Sequence, residues 1–189
     1  MRSVADALRA VVDAMPRLPP ETVALEAALG RVLVDDIVAM RASPGFDNSA
    51  MDGYAVRARE LPAMLPLAGV IGAGDEPAAL PPGHAARIFT GAPMPLGADT
   101  VIMQEETQRD GDRVVLPAAR LGDNVRRAGE DIAIGERVLA AGTRLRPWDL
   151  GVLAALGCAR VEVTRAPRVA LVATGDELVE VAEPPAYGQ

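Results

Sequence analysis

The sequence predicts an α+β fold in which a small β-barrel or sandwich is inserted into a domain of helices and strands. Short apolar runs separated by Gly-, Pro- and Asp-rich turns occupy residues 44–123, and this spacing is typical of a small β-domain. Segments with helical spacing lie on both sides of it. We therefore predict a split α/β N-terminal domain, made of residues 1–43 and 124–166, whose two parts pack together beside the inserted β-domain.

The first part of the split domain is predicted to contain two helices and a strand. Apolar residues recur on one helical face over residues 4–15, and Pro16 ends this helix. A second, shorter helix is predicted over residues 21–29. It is followed by a β-branched run at residues 32–38, which suggests a strand.

The inserted domain is predicted from short apolar runs that alternate with turn residues. No internal repeat or low-complexity linker interrupts this alternation of apolar runs and turns. The predicted strands are residues 54–56, 67–71, 87–90, 100–104 and 113–116.

The second part of the split domain is predicted to contain a helix between two short strands. The strands are placed at residues 138–139 and 161–163. The helix is placed at residues 148–156, and Pro147, directly before this range, suits the first helical position. Gly157 suits the position after the end of this helix. We interpret Trp148 as a packing residue rather than a binding residue, and we expect the change Asp149→Ala to be nearly silent.

Residues 167–189 are predicted to begin another domain. Residues 168–173 are almost continuously apolar, as in a strand that is buried on both faces of a parallel sheet. One strand cannot form such a sheet. We therefore expect the chain to hold only the first strand of a truncated α/β domain.

Charge and hydropathy exclude several classes of function. The net charge of −7 argues against a nucleic-acid-binding surface, which concentrates positive charge. No apolar run reaches the roughly 18 residues that span a membrane, and the N-terminus lacks the pattern of a secretory signal. We expect a cytoplasmic protein that binds neither nucleic acid nor membrane.

The residue types that are scarce exclude several kinds of catalysis. All 19 basic residues are arginine, so a P-loop lysine or a Schiff-base lysine is excluded. The single cysteine, Cys158, rules out an internal disulfide and a cysteine-cluster zinc site, and we expect it to be a buried structural thiol. The single histidine, His84, lies in a Pro- and Gly-rich loop, which does not favour a Ser-His-Asp triad.

A polar run at residues 44–54 is the most informative motif. It reads Pro-Gly-Phe-Asp-Asn-Ser-Ala-Met-Asp-Gly-Tyr and includes Asp47 and Asp52. Asn-Ser and Asp-Gly pairs favour turns because their side chains bond the local backbone. The apolar residues after it predict a strand, so the run is interpreted as a polar corner that leads into a strand. Several polar groups on one loop favour a functional site.

Three further motifs follow the polar corner. The first is Thr-Gly-Ala-Pro-Met-Pro at residues 90–95, and the second is Asn-Val-Arg-Arg-Ala-Gly-Glu-Asp at residues 124–131. The third, Thr-Gly-Asp-Glu-Leu at residues 174–178, follows the apolar run of the predicted last strand. Ligands of open parallel sheets bind outside the carboxyl ends of strands, so the last motif is a candidate ligand contact.

Together the four motifs, in this order, resemble those of the molybdopterin molybdenumtransferases, the MoeA family that includes the gephyrin E-domain. The resemblance covers most of the chain and implies the N-terminal half of such a protein, with residues 167–189 opening its molybdopterin-binding α/β domain. It implies insertion of molybdate into adenylylated molybdopterin with release of AMP. It also implies a homodimer with an intersubunit cleft, and molybdopterin adenylyltransferase as an upstream partner.

The resemblance also assigns residue roles. It implies catalytic roles for Asp52, Thr90, Asp131 and Glu177. It implies contacts to the substrate from Asn48, Ser49, Arg126, Arg127 and Gly175. Magnesium prefers carboxylate and phosphate oxygens, and the expected ligands are Asp52, Asp131, Asp176 and Glu177.

Other interpretations of the same residues remain open at the level of sequence. Asp52 and Gly53 could form an ordinary turn, and Arg126 and Arg127 could be surface charges. A calcium loop starting at Asn48 is excluded, because alanine stands where an oxygen ligand is required. As whole functions, a non-catalytic dimerisation or scaffold module and a divalent-metal phosphohydrolase are the alternatives to the transferase.

Overall fold

A computed structural model describes residues 2–76, 78–175 and 177–188 of the chain. It has the mixed α+β composition that the sequence predicts. The helices are α1 (Val4–Ala14) and α2 (Pro147–Ala155). The strands are β1 (Pro20–Ala24), β2 (Ile37–Val38), β3 (Asn48–Ser49), β4 (Gly53–Val56), β5 (Ala63–Ile71), β6 (Ala85–Ile88), β7 (Thr100–Met103), β8 (Gln108–Asp110), β9 (Arg113–Leu116), β10 (Val125–Arg126), β11 (Arg137–Leu139) and β12 (Arg160–Thr164).

The largest sheet has the strand order β7-β4-β6-β5-β9-β8. Strands β5 and β6 run parallel, and the other neighbours are antiparallel. The five runs that the sequence predicts as strands of the inserted domain correspond to β4, β5, β6, β7 and β9, so these predictions are confirmed. The open strand order runs from β7 at one edge to β8 at the other, and the barrel or sandwich form stays a prediction.

Two apolar clusters pack against this sheet. One centres on Ile88 and Val101, and the other on Val56 and Ile102; all four side chains are at most 2% exposed. Strand β4 belongs to both clusters and is buried along its whole length. The buried strand gives the polar residues immediately before it, including Asp52, a rigid support.

A third apolar cluster joins the two outer parts of the chain. Leu33 packs there with Leu145, Leu153 and Val163. Strand β1 pairs with β12 and strand β2 with β11, in both cases antiparallel. The outer segments therefore pack together as expected, while the exact domain boundaries stay a prediction.

The helix predicted over residues 21–29 is wrong. Residues Pro20–Ala24 form strand β1, and a single 3₁₀ turn, Leu25–Ala27, follows it. Each residue of β1 pairs with one of β12, and this tertiary pairing overrides the weak local preference for a helix. The strand suggested at 32–38 is reduced to β2, preceded by single bridges at Val32 and Leu33.

Helix α2 begins at Pro147 as predicted, and Gly157 after its end has a φ of +79°. The interpretation of Trp148 as a packing residue is wrong, and the burial of Asp149 argues against a silent Asp149→Ala. Trp148 is 63% exposed, with the Arg146 guanidinium stacked 4.8 Å from its ring centre. Asp149 is only 3% exposed, because it lies one turn before the buried Leu153 and so shares its face of the helix.

The chain beyond β12 lacks the strand predicted at residues 168–173. This segment has no regular secondary structure and is exposed, with Leu171 95% accessible. The backbone N–H and C=O groups of a strand need hydrogen-bond partners on a neighbouring strand, and no described strand pairs with this segment. The prediction of a first sheet strand is therefore wrong for this structure.

Helix α1 forms as predicted, with Ser3 accepting a hydrogen bond from the Asp6 backbone N–H at its start. None of its residues is buried, and its apolar face, which includes Val4 and Leu8, is exposed. In the described part of the chain, no helix has the length and apolar character required to cross a membrane.

Candidate functional site

Strand β3 brings three of the four motifs together. Ser49 and Asn48 pair on one side with Val125 and Arg126 of β10. On the other side, the Ser49 N–H donates to the Ala92 carbonyl at 3.0 Å, and the Gly91 N–H donates to the Ser49 carbonyl at 2.8 Å. The polar corner, the motif at 90–95 and the motif at 124–131 thus share one backbone junction, which we call the β3 junction.

Asp52 and Thr90 form the most direct side-chain contact between two motifs. Asp52 Oδ1 accepts a hydrogen bond from the Thr90 N–H at 2.8 Å and another from the Thr90 hydroxyl at 2.7 Å. Those two bonds, the backbone one first, together with the nearby Arg87 charge, hold the pKa of Asp52 below its ordinary value. Asp52 is therefore ionised near neutral pH, and in the described part of the chain no hydrogen bond reaches its Oδ2.

Asp47 anchors the polar corner to the third motif. Its Oδ1 accepts a hydrogen bond from the Ala128 N–H at 2.8 Å, and its Oδ2 pairs with Arg127 Nη1 at 2.6 Å. The Ala128 N–H and then the Arg127 guanidinium lower the pKa of Asp47. Since both oxygens are engaged, Asp47 fixes the loop conformation and holds Arg127 in place.

Asp131 and Arg126 form an exposed ion pair at the edge of the β3 junction. Arg126 Nη2 lies 2.5 Å from Asp131 Oδ1, and Arg126 Nε lies 3.6 Å from Glu130 Oε1. The hydrogen bond and charge of Asp131 raise the pKa of Arg126. Arg126 and Arg127, which the sequence predicts to contact an anion, are thus both paired with carboxylates. An incoming anion would take the place of these carboxylates.

Asn48 and Ser49 lie inside the β3 junction and point toward neighbouring backbone. Asn48 Nδ2 donates to the Phe46 carbonyl at 3.2 Å, and Ser49 Oγ donates to the Met51 carbonyl at 2.6 Å. Both residues are buried. Their contacts shape the polar corner, and their predicted role in binding the substrate stays a prediction.

The fourth motif is separate from the other three. The Leu178 N–H donates to the Gly175 carbonyl at 3.1 Å, a contact within the motif. No described hydrogen bond or ion pair joins Gly175 or Glu177 to the β3 junction, and Asp176 lies outside the described residues. Among residues 2–76, 78–175 and 177–188, no three His, Cys, Asp or Glu side chains are grouped to hold a metal ion. The predicted four-carboxylate site therefore stays a prediction.

Two residues near Asp52 were not identified from the sequence. Arg87 lies on β6 and its Nη1 donates to the Gly53 carbonyl at 3.1 Å, while the Gln104 N–H donates to the Asp52 carbonyl at 3.0 Å. A single charged residue in the otherwise apolar strand Ala85–Ile88 is the signal that could have found Arg87.

The fold and this junction define a class of protein: an α+β chain in which polar motifs distant in sequence meet at one strand. Residues 2–157 match a family described as the MoeA N-terminal region (domain I and II). The chain belongs to this family.

Curated relatives match the chain over all or nearly all of its length. It is 42% identical to a molybdopterin molybdenumtransferase of Nostoc over 202 aligned residues, covering 100% of this chain and 46% of the relative. It is 41% identical to a molybdopterin molybdenumtransferase of Bacillus subtilis, covering 96% of this chain and 45% of the relative. The chain therefore spans about half the length of the curated relatives it matches.

Solved structures give the same result at the level of fold. A molybdopterin biosynthesis MoeA protein from Pyrococcus horikoshii OT3 is 39% identical, with a TM-score of 0.83, over 95% of this chain and 50% of that one. A second MoeA crystal structure has a TM-score of 0.81 at 34% identity and covers 100% of this chain.

Proposed function

We propose that the chain is the N-terminal part of a molybdopterin molybdenumtransferase, which inserts molybdate into adenylylated molybdopterin with release of AMP. The observation that carries this proposal is the meeting of three family motifs at the β3 junction, with Asp52 bonded to Thr90. Relatives of that name match the whole chain, and neither the scaffold module nor the phosphohydrolase is favoured by any observation.

Asp52 has the properties that cleavage of an adenylate requires of a protein carboxylate. Its pKa is lowered, so it is negatively charged at neutral pH, and Thr90 fixes its Oδ1. The other oxygen, Oδ2, can accept a hydrogen bond from a water or a substrate hydroxyl. In this proposal Asp52 orients the attacking oxygen, and Thr90 fixes the direction of the carboxylate.

Magnesium belongs to the same proposal. The ion is commonly held by one or two carboxylates together with substrate phosphates, rather than by a cage made only of protein. The ionised Asp52 fits that type of site, since it offers one hard oxygen ligand on a fixed support. Bound there, the ion would neutralise phosphate charge.

Arg126 and Arg127 are proposed to contact the anionic part of the substrate. Each guanidinium can form two parallel hydrogen bonds to phosphate oxygens. The side chains of their present partners, Asp131 and Asp47, are 51% and 39% exposed, and ion pairs exposed to solvent contribute little to stability. Exchanging a carboxylate for a phosphate is therefore inexpensive in free energy.

The assembly and location are part of the proposal. We propose a cytoplasmic homodimer that receives its substrate from a molybdopterin adenylyltransferase. The exposed apolar face of α1 offers a surface for association. Light scattering over a concentration series tests the dimer, and a monomer at high micromolar concentration would contradict it.

The transferase proposal is tested in the chain joined to the remaining half of a full-length relative. We expect Asp52→Ala to lower molybdate-dependent cofactor formation by roughly two orders of magnitude, the effect of losing one preorganised electrostatic contact. Asp110→Ala is the matched control, because Asp110 is an exposed aspartate on the edge strand β8. Full activity of Asp52→Ala, or an equal loss in Asp110→Ala, would refute the site.

A further inference from the structure

Arg87 occupies an unusual position next to Asp52. It lies on β6 directly opposite Tyr54 of β4. Its guanidinium carbon lies 5.2 Å from the centre of the Tyr54 ring and 4.9 Å from the centre of the Phe89 ring. A cation this close to two aromatic faces is attracted by both, so the side chain is held in one orientation.

The guanidinium of Arg87 bonds to two residues that adjoin Asp52, the Gly53 backbone and the Gln104 side chain. Arg87 Nη1 donates to the Gly53 carbonyl at 3.1 Å, and Nη2 donates to Gln104 Oε1. The backbone N–H of that same Gln104 donates to the Asp52 carbonyl at 3.0 Å. The Arg87 guanidinium thus connects Gly53, the residue after Asp52, with Gln104, whose backbone N–H binds the Asp52 carbonyl.

We propose that Arg87 is a positioning residue that fixes the Asp52 backbone so that the Asp52 carboxylate meets Thr90. The inference rests on the proposed function, since it assigns a supporting residue to the same site. Asp52 precedes the buried strand β4, and Thr90 follows β6. Arg87 ties the start of β4 to the segment after β7, so a change at Arg87 alters the approach of Asp52 to Thr90.

The geometry requires arginine rather than lysine at this position. Two donors on one rigid plane reach the Gly53 carbonyl and the Gln104 amide oxygen while the guanidinium carbon lies over the Tyr54 and Phe89 rings. A lysine would keep the positive charge near Asp52 but has no planar fork. Arg87→Lys therefore separates the effect of positioning from the effect of charge.

The test is NMR on this chain without substrate. In Arg87→Gln we expect amide hydrogen exchange at Thr90 to accelerate by about tenfold, as for a weakened local hydrogen bond. In Arg87→Lys, which keeps the positive charge but lacks the planar fork, we expect the same faster Thr90 exchange. The control is Arg113→Gln, because Arg113 also donates to a backbone carbonyl of the same sheet, that of Met64 at 3.0 Å, and it should leave Thr90 exchange unchanged.

Each outcome decides the proposal. Thr90 exchange at the wild-type rate in a folded Arg87→Gln would overturn it. If Arg87→Gln does not fold, Arg87→Lys decides: faster Thr90 exchange supports the proposal, and wild-type exchange overturns it. Because these measurements need no turnover, they are independent of the activity of Asp52→Ala, whose failure would instead refute the proposed function.

Discussion

The segments 44–131 and 167–188 both carry family motifs, but among the described residues strand pairing supports only the motifs of the first segment. In the first, motifs far apart in sequence share the β3 junction through backbone bonds such as Ser49 N–H to Ala92 O at 3.0 Å. In the second, the motif at 174–178 lies in an exposed segment whose described residues are not buried. Polar motifs acquire a fixed geometry when strand pairing supports them, whereas the described residues of the motif at 174–178 show a contact within the motif, from the Leu178 N–H to the Gly175 carbonyl.

The largest expected difference between the two segments comes from adding a methyl group to a glycine in each. A Cβ on Gly53 would lie 1.9 Å from the Ile102 carbonyl oxygen, a backbone atom of the neighbouring strand. We expect Gly53→Ala to lower the free energy of unfolding by about 3 kcal/mol, the upper range for overpacking a core.

Gly175→Ala is the matched variant in the exposed segment. Its φ of +144° is unfavourable for alanine, but the close atoms belong to the flexible side chain of Glu177. We expect no change in the melting temperature of the chain, because the core does not depend on this segment. Calorimetry on both variants checks the pair, and equal destabilisation would abolish the contrast.

A second pair of variants removes one buried carboxylate, that of Asp149, and one carboxylate in the exposed segment, that of Glu177. Asp149 accepts a hydrogen bond from the Arg146 N–H at 2.8 Å at the start of α2 and pairs with the Arg146 guanidinium at 2.9 Å. We expect Asp149→Ala to destabilise the protein by about 1–2 kcal/mol, as for the loss of a helix cap. Glu177→Ala in the exposed segment should leave stability unchanged. Urea unfolding of the two variants measures the difference, and a silent Asp149→Ala would show that the cap is unimportant.

The pH dependence of stability should also reflect the β3 junction. The pKa of Asp47 is lower in the folded protein than its ordinary value of 3.8. The ionised form therefore stabilises the fold fully above about pH 4, and this contribution is lost as the pH falls through the folded pKa. Melting temperatures from pH 7 to pH 2 should decline less steeply in Asp47→Asn than in the wild type. Identical slopes would contradict an ionised Asp47 anchor.

The smallest expected effect is that of removing the exposed segment. A chain ending at residue 166 should melt within about 2 °C of the intact chain, because residues 167–188 contribute no described buried side chain. Circular dichroism at 222 nm measures this. A decrease of many degrees would show that the exposed segment stabilises the core and would overturn the comparison.

Much of the fold can be predicted from the sequence because its signals are local. The helix over residues 4–15 follows from apolar spacing, and helix α2 follows from Pro147 at its start and Gly157 after its end. The strands of the large sheet follow from apolar runs bounded by turn residues. Apolar periodicity and turn-forming residues depend only on residues close together in the chain, so the local sequence is sufficient to predict these elements.

The failures share one cause, which is that the deciding partner is distant in sequence. Strand β1 was predicted as a helix because β12, its pairing partner, cannot be identified from the local pattern. The change Asp149→Ala was expected to be nearly silent because the burial of Asp149 depends on the cluster around Leu153, which the local pattern does not reveal. Arg87 was missed because its contacts with Gly53 and Gln104 cross strands.

The sequence by itself determined the family, the residue types of the candidate site and the order of most elements, because motifs and periodicity are properties of the chain. Only the tertiary structure decided which motifs meet. The β3 junction exists because strand β3 pairs with β10 and bonds to the motif at 90–95, and backbone hydrogen bonds form between whichever segments the buried clusters hold side by side.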